Sequence, residues 1–206
     1  MQLYTFPPSP NCRKVHTLID HLGLDVDIKQ VNILAGEQKR PEFRALNPNS
    51  KVPVLVDGET TLWESNAILA YLAGKQDTAL WPRSAARYSI LRWLNWEAAH
   101  FSRAAGTLLF ERLLKTLTQA GPEDTEVTAK AEDNFRACAS VLNHRLAERP
   151  FLEGEACSIA DFSIGVFLDY REACRLPLAD CPHVQAWHHR LRALPAWQRN
   201  LPQLPA

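Results

Sequence analysis

The residues best suited to chemistry in this chain flank a short predicted β-hairpin between positions 47 and 65. Val52-Pro53 stands at the mouth of its first strand, where proline supplies no ladder hydrogen bond and leaves the backbone of Val52 available to an outside partner. A cis peptide bond is compatible with a proline there. Glu64-Ser65 precedes an apolar helical run, and a serine at a helix start offers its hydroxyl and backbone N–H groups to an anion. A free backbone edge, an anion-binding helix start and a neighbouring carboxylate together suit a zwitterionic peptide ligand.

Strand and helix patterns alternate through the first third of the chain and position these residues. The predicted order is strand 2–6, helix 11–22, strand 26–28, short helix 41–46, a hairpin of 54–56 and 61–63 around Asp57-Gly58, and helix 66–72. Gly23 is suited to a left-handed cap at the end of the first helix. This β-α-β-α-β-β-α order, with a crossover between parallel strands and a closing hairpin, predicts a thioredoxin-like α/β domain.

The remainder of the chain carries no strand signal. Long amphipathic helices are predicted over 84–119 and 123–149, separated by Gly121-Pro122, and two further helices over 159–170 and 183–194. Before them, helical periodicity fades in a polar stretch bracketed by glycine and proline. We therefore predict a thioredoxin-like domain at 1–75, a linker at 76–83 and an all-α helical bundle at 84–206.

Composition restricts the partners and the compartment. The formal net charge is zero, from 23 basic and 23 acidic residues, and no basic stripe is visible, so nucleic acid and anionic membrane are not expected partners. No apolar run approaches the roughly 20 residues that span a bilayer, and the first residues lack the pattern of a signal peptide. The five cysteines are odd in number and form no C-x-x-C pair, and no metal-ligand spacing is present. We expect a cytoplasmic protein without a metal centre.

One motif of the helical part has a structural interpretation. Ser158 and Asp161 have the spacing of a capping box, in which the serine accepts from the third helical N–H and the acid accepts from the serine N–H. Cys157 and Phe162 occupy the staple positions on either side. We expect this motif to serve stability and folding, not catalysis.

Taken together, these motifs resemble the soluble, cytosolic glutathione transferase superfamily. The resemblance runs from Tyr4 to about Trp197 and is carried by the segments SPNCRKV (9–15), NPNSKVPVL (47–55), WES (63–65) and SIAD (158–161). Lys14-Val15 is similar to the basic-Val pair of the theta and zeta classes, which places Ser9 at their catalytic serine. Asn11 is similar to the asparagine of a bacterial class with a hydroxyl residue two positions earlier, in which disulfide reduction accompanies modest conjugation.

The resemblance implies glutathione as co-substrate and Ser9 as the group that activates it. A free thiol has a pKa of about 8.5, and a hydroxyl at a helix N-terminus can donate to the sulfur and favour the thiolate. Alternatively, Ser9 only caps its helix. Asn11 would donate to the sulfur or bond the helix start. Cys12 would form a mixed disulfide with glutathione, or it is a packing residue.

The resemblance also implies which residues hold glutathione and its reaction partner. Glu64 would pair with the α-ammonium group and Ser65 with the α-carboxylate. Gln38 and Lys51 would hold the glycyl carboxylate, or they are only solvated loop residues. Val52 and Pro53 are the remaining implied glutathione-binding residues. Trp96, His100, Phe101 and Phe110 form an aromatic row on the first long helix. Such a row usually belongs to the core. The resemblance implies that these four residues border the electrophile pocket.

The predicted function is therefore that of a glutathione S-transferase, which attacks a small apolar electrophile or a glutathione disulfide. The alternatives are a glutathione-dependent disulfide oxidoreductase or thiol transferase, a ring-isomerising or dehalogenating glutathione enzyme, and a non-catalytic binding protein with this fold.

Family members are mostly homodimers, and the apolar and aromatic content of 84–110 is consistent with a two-fold interface.

Overall fold

The computed structural model describes residues 1–203, which fall into two units. The first unit contains Met1–Thr78 and Pro195–Gln203, and the second contains Ala79–Leu194. The sequence prediction placed everything after residue 83 in the helical domain, and the structure differs in this respect. The helix Pro195–Arg199 packs against the first helix of the chain, where Trp197 is fully buried. A buried tryptophan of this size gives that short segment enough apolar contact to join the first unit.

The first unit is built on a four-stranded mixed sheet. Its strands are β1 (Gln2–Thr5), β2 (Asp27–Gln30), β3 (Val54–Asp57) and β4 (Thr60–Trp63), in the order β2-β1-β3-β4. Strand β1 runs parallel to β2 and antiparallel to β3, and β3 pairs antiparallel with β4. The helices are α1 (Pro10–Leu22), a 3-10 turn (Glu37–Lys39), α2 (Pro41–Leu46) and α3 (Ser65–Gly74). This arrangement confirms the predicted thioredoxin-like fold.

Local sequence signals set the two ends of α1. Proline at its first position supplies a fixed φ where no intrahelical N–H bond is lost. At the other end Gly23 adopts the left-handed conformation with φ of 63°, and its N–H donates to the carbonyl of Asp20. The next residue, Leu24, donates to the carbonyl of Ile19 at 3.0 Å. This glycine cap confirms the predicted helix end.

The second unit is helical, as predicted. A long helix over 86–118 is followed by α7 (Thr125–Leu146), α8 (Ile159–Gly165) with a 3-10 extension (Val166–Tyr170), and α9 (Pro182–Arg192). The long helix comprises α4 (Ala86–Trp96), a π-helical segment (Glu97–Phe101), α5 (Ser102–Leu109), a second π-helical segment (Phe110–Leu114) and α6 (Lys115–Thr118). The helix Pro195–Arg199 of the first unit is α10.

The predicted capping box is present at the start of α8 and is buried. One carboxylate oxygen of Asp161 accepts from the backbone N–H and the hydroxyl of Ser158, both at 2.8 Å. The other accepts from the Leu152 N–H at 3.0 Å and from the indole N–H of Trp187 at 2.9 Å. Burial raises the pKa of Asp161, and these four donors offset part of that rise. The motif therefore connects the start of α8 to α9 and to the preceding loop.

Two properties of the described chain bear on partners. Within residues 1–203, no helix combines the length and the apolar character needed to cross a membrane. In the same part of the chain, no group of three or more His, Cys, Asp or Glu side chains could hold a metal ion.

Candidate active site

Ser9 stands at the N-cap of α1, directly after β1. Its backbone is extended, with φ of −75° and ψ of 126°, and its carbonyl accepts from the N–H groups of Cys12 and Arg13 at 3.0 and 2.9 Å. Its half-buried side chain makes no capping hydrogen bond to the helix. The helix start is therefore capped by the Ser9 backbone, and the hydroxyl is not committed to the capping role that the sequence left open.

Cys12 has the surroundings of a packing residue. Its side chain is fully buried, and its sulfur accepts from the Phe6 N–H at 3.4 Å. Burial raises the pKa of the Cys12 thiol, although hydrogen bonds from Phe6, Thr5 and Ser9 and the charge of Lys14 counteract part of the rise. Because reactive cysteines are accessible and have a lowered pKa, this geometry does not suit a mixed disulfide with glutathione.

The starts of α1 and α3 meet at Asn11 and Ser65. The Ser65 hydroxyl donates to the amide oxygen of Asn11 at 3.3 Å, and Ser65 is only 9% exposed. One turn further along, the buried ammonium group of Lys14 donates to the amide oxygen of Asn66 at 3.0 Å. Two helix N-termini, each with the positive end of its dipole, therefore converge beside Ser9. This convergence creates a favourable environment for an anion.

Glu64 is held in an uncommon backbone conformation immediately before α3. Its φ is 71° and its ψ 110°, a combination that a residue with a β-carbon seldom adopts. Its carbonyl accepts the first intrahelical bond from Ile68 at 3.1 Å, and its side chain is exposed. Such conformations cluster at ligand-binding positions, and here the exposed carboxylate stands next to Ser65.

The loop before β3 is organised by a residue that the sequence reasoning did not single out. Asn47 is 2% exposed, and its amide group donates to the carbonyl of Lys51 at 2.7 Å. Its amide oxygen accepts from the Asn49 N–H at 3.0 Å. This network fixes the 47–51 turn that leads into Val52-Pro53, whose peptide bond is cis. The signal was the Asn-Pro-Asn-Ser run, which favours side-chain-to-backbone turns.

Gln38 and Lys51 lie in separate loops of the first unit. Gln38 belongs to the 3-10 turn Glu37–Lys39, and its amide oxygen is buried without a hydrogen-bond partner in the described chain. Lys51 is exposed. Within residues 1–203, no hydrogen bond joins either side chain to Ser9, Asn11 or Ser65, so the directly connected group is the one formed by the two helix starts.

The four aromatic and histidine positions predicted for an electrophile pocket do not form one surface of the second unit. Phe101 is fully buried and packs against Phe135 and Phe167, with ring centroids 5.6 and 5.8 Å away. It belongs to the core, which corrects its assignment as a pocket residue. Phe110 is 46% exposed on the second π-helical segment. Trp96 and His100 line a surface groove between the long helix and α7.

Comparison with known proteins gives consistent matches along the chain. The glutathione S-transferase N-terminal domain matches residues 1–74, and the C-terminal domain matches residues 104–195. Glutathione S-transferase 3 of Zea mays is 34% identical over 100% of this chain and 95% of its own length. Disulfide-bond oxidoreductase YfcG of Escherichia coli (strain K12) is 33% identical over 93% of this chain and 90% of its own. The theta class glutathione S-transferase of Xanthomonas axonopodis pv. citri, solved with glutathione bound, is 32% identical, with a TM-score of 0.88 over 97% of this chain and 96% of that one.

The class of protein follows from the fold and these matches. A thioredoxin-like unit followed by a helical unit, with similarity to one family in both, defines the two-domain architecture of a glutathione transferase. The chain belongs to the glutathione S-transferase family and is a glutathione transferase. Its subclass stays open, because plant, insect and bacterial relatives match at 29 to 34% identity.

Proposed function

We propose that this enzyme binds glutathione at the joined starts of α1 and α3 and that Ser9 stabilises its thiolate. The observation that carries the proposal is the Ser9 hydroxyl, which makes no capping bond to α1 although it lies at the start of that helix. The hydrogen bond between Ser65 and Asn11 brings the start of α3 next to the start of α1. The theta class structure with bound glutathione, from a relative of 32% identity, supports glutathione as the co-substrate.

The proposed reaction begins with ionisation of the glutathione thiol. Its proton passes to solvent, and the Ser9 O–H donates to the resulting thiolate while the α1 dipole adds a favourable field. A decrease of one to two units in the thiol pKa corresponds to about 1.4–2.7 kcal/mol. The sulfur lone pair then forms a carbon–sulfur bond with a small apolar electrophile, and a leaving group departs with the electron pair of the bond that breaks.

The ends of glutathione would be held by the other site residues. Ser65 and the first N–H groups of α3 would bind the α-carboxylate, and Glu64 would accept from the α-ammonium group. The backbone of Val52, beside Pro53, would pair with the peptide part of the ligand. The amide N–H groups of Gln38 and the ammonium group of Lys51 would donate to the glycyl carboxylate.

Reduction of disulfides is a second candidate function. It is favoured by the similarity to the disulfide-bond oxidoreductase YfcG and by Asn11, whose amide oxygen is bonded to Ser65. In that reaction the glutathione thiolate attacks one sulfur of a disulfide, forms a mixed disulfide and displaces the other sulfur as a thiolate. A second glutathione then releases the product thiol and leaves as oxidised glutathione. A non-catalytic role is less consistent with the chain, because Ser9, Glu64 and Ser65 are all present.

Activity measurements separate these functions. Initial rates with glutathione would be compared for a panel of aromatic halides and epoxides and for a glutathione-linked mixed disulfide. Turnover of the electrophile panel that exceeds disulfide turnover supports conjugation. The reverse ranking supports disulfide reduction, and the absence of both activities would refute the proposed chemistry.

We also propose a cytoplasmic homodimer. All five cysteines are free, which is consistent with a reducing compartment. Tyr88 and Leu91 lie one turn apart on α4 and are 74% and 43% exposed, and large apolar side chains exposed together often mark a subunit interface.

A further inference from the structure

Strand β2 (Asp27–Gln30) lies at one edge of the first unit's sheet and is exposed along its whole length. Within residues 1–203, it has a neighbouring strand on one side only, because the sheet order is β2-β1-β3-β4. A groove of about 530 Å³, lined in part by Lys29 and Gln30, opens beside the strand. An exposed sheet edge of this kind is a template for pairing with a further strand.

The backbone of β2 directs alternate residues toward β1 and away from it. The N–H groups of Asp27 and Val31 donate to carbonyls of the chain segment that carries β1, at 3.0 and 2.8 Å. Lys29, which lies midway between them, faces β1 as well, because every second residue of a strand bonds to the same side. The N–H and carbonyl groups of Ile28 and Gln30 therefore face outward and are open to a second strand.

The side chains of β2 carry opposite charges two residues apart. Asp27 and Lys29 lie on the same face of the strand, and their exposed side chains form an ion pair at 2.7 Å. Exposed pairs of this kind contribute little stability, so exchanging it for an equivalent pair with another chain costs little. A lysine alone on an edge opposes strand addition, but the aspartate two positions earlier makes this strand complementary to itself.

Two antiparallel copies of β2 have one register that matches both backbone and charge. When Ile28 lies opposite Ile28 of the second copy, their outward backbone groups exchange two hydrogen bonds. Each Asp27 then lies opposite Lys29 of the other copy, at a position without ladder bonds, where side chains approach most closely. Registers centred on residue 27 or 29 instead place aspartate against aspartate or lysine against lysine, and like charges directly opposite each other are destabilising.

We propose that the β2 edge binds a second copy of this chain by antiparallel strand addition, with Asp27 and Lys29 as reciprocal charge pairs. The 40% exposed side chain of Ile28 gains an apolar partner in its own counterpart. This contact is separate from the α4 surface proposed for the homodimer, and it does not depend on the glutathione site. Four paired residues a side bury less than the roughly 1,200 Å² of a stable interface, so this association is weak and depends on concentration.

Sedimentation velocity between about 10 and 500 µM protein tests the pairing, because this range covers weak dissociation constants. The average mass of the parent protein should rise across the range. Lys29→Asp and Asp27→Lys should each keep the mass measured at the lowest concentration, because each variant places like charges opposite each other. An equimolar mixture of the two variants should regain the association, since every lysine then meets an aspartate of the other variant.

Lys130→Asp is the matched control, because Lys130 is exposed on α7 of the second unit and the substitution reverses the same charge. It should associate like the parent. Ile28→Pro tests the backbone contribution, because it removes one outward-facing N–H from an edge strand while Asp27 and Lys29 remain. This variant should lose the association. Far-UV circular dichroism and the melting temperature would show that each variant is folded.

Three results overturn the proposal. The first is a parent mass that stays constant up to about 500 µM, which would hold even if the edge accepted a strand from another protein. The second is association of Lys29→Asp, Asp27→Lys or folded Ile28→Pro alone to the extent seen in the parent. The third is an equimolar mixture of the two charge variants that keeps the mass of its separate components.

Discussion

Replacing Ser65 with alanine should weaken glutathione binding while leaving the chemical step nearly intact. The hydroxyl would contact a carboxylate that carries its charge in both the bound substrate and the transition state. Losing such a uniform interaction raises KM and changes kcat little. Ser65 is only 9% exposed, so water cannot easily replace the missing hydroxyl.

The size of the effect follows from the type of bond. A hydrogen bond to a charged group contributes about 1.5–3 kcal/mol, which corresponds to a ten- to 150-fold loss of affinity. The backbone N–H groups at the start of α3 remain in the variant, so the lower half of that range is expected. The lost bond to Asn11 is long, at 3.3 Å, and should cost less than about 1 kcal/mol of folding stability.

Isothermal titration with glutathione would measure the affinity, and steady-state kinetics would separate KM from kcat. Ser140→Ala is a suitable control, because Ser140 is exposed on α7 in the second unit. An unchanged dissociation constant in Ser65→Ala would refute the placement of the α-carboxylate. A large decrease in kcat with unchanged KM would refute it as well.

Three further predictions concern assembly and stability. Light scattering at micromolar concentration should give about twice the chain mass of 23.3 kDa, and a stable monomer would exclude the proposed homodimer. Asp161→Ala should lower the free energy of unfolding, measured by urea titration, by at least about 3 kcal/mol. The reason is that the substitution leaves the N–H donors of Ser158, Leu152 and Trp187 without an acceptor. A loss below about 1 kcal/mol would contradict this prediction. Burial raises the pKa of Cys174 to about 11, so the unfolded chain loses this proton first as the pH rises. Stability should therefore fall between about pH 9 and 11, by up to about 1.4 kcal/mol per pH unit, and Cys174→Ala should reduce that slope.

Much of the first unit was predictable because proline, glycine and apolar spacing define its elements locally. The predicted helices 11–22 and 41–46 are observed as Pro10–Leu22 and Pro41–Leu46. Gly23 ends the first of these in the left-handed conformation that its type favours. Such local signals need no knowledge of distant contacts.

Features that depend on tertiary contacts were missed. Pro195–Arg199 joins the first unit because Trp197 is buried there, and no local pattern records which surface covers a tryptophan. The rings of Trp96 and Phe101 stack with centroids 5.9 Å apart, yet Phe101 is fully buried while Trp96 lines a groove. The difference depends on which helices cover each ring, and a local sequence pattern does not contain that information. The structuring role of Asn47 likewise depends on hydrogen bonds within a folded turn.

At the candidate site, the candidate residues were predictable from the sequence, but the hydrogen bond that joins the two helix starts was not. Ser9 and Ser65 are far apart in sequence, and the Asn11–Ser65 bond places the two helix starts together. The sequence could not decide between a capping and a catalytic role for Ser9 or between a packing and a redox role for Cys12. Those choices depend on side-chain bonding and burial, which only the folded chain defines.

The most direct test of the central claim is the pH–rate profile of conjugation for the parent enzyme, Ser9→Ala and Cys12→Ala. If Ser9 stabilises the thiolate, Ser9→Ala should raise the pKa of bound glutathione by one to two units and slow conjugation at neutral pH roughly ten- to hundredfold, with glutathione affinity nearly unchanged. Cys12→Ala should keep the parent profile. The account is contradicted if Cys12→Ala abolishes activity, Ser9→Ala is harmless and intact mass finds glutathione attached to Cys12.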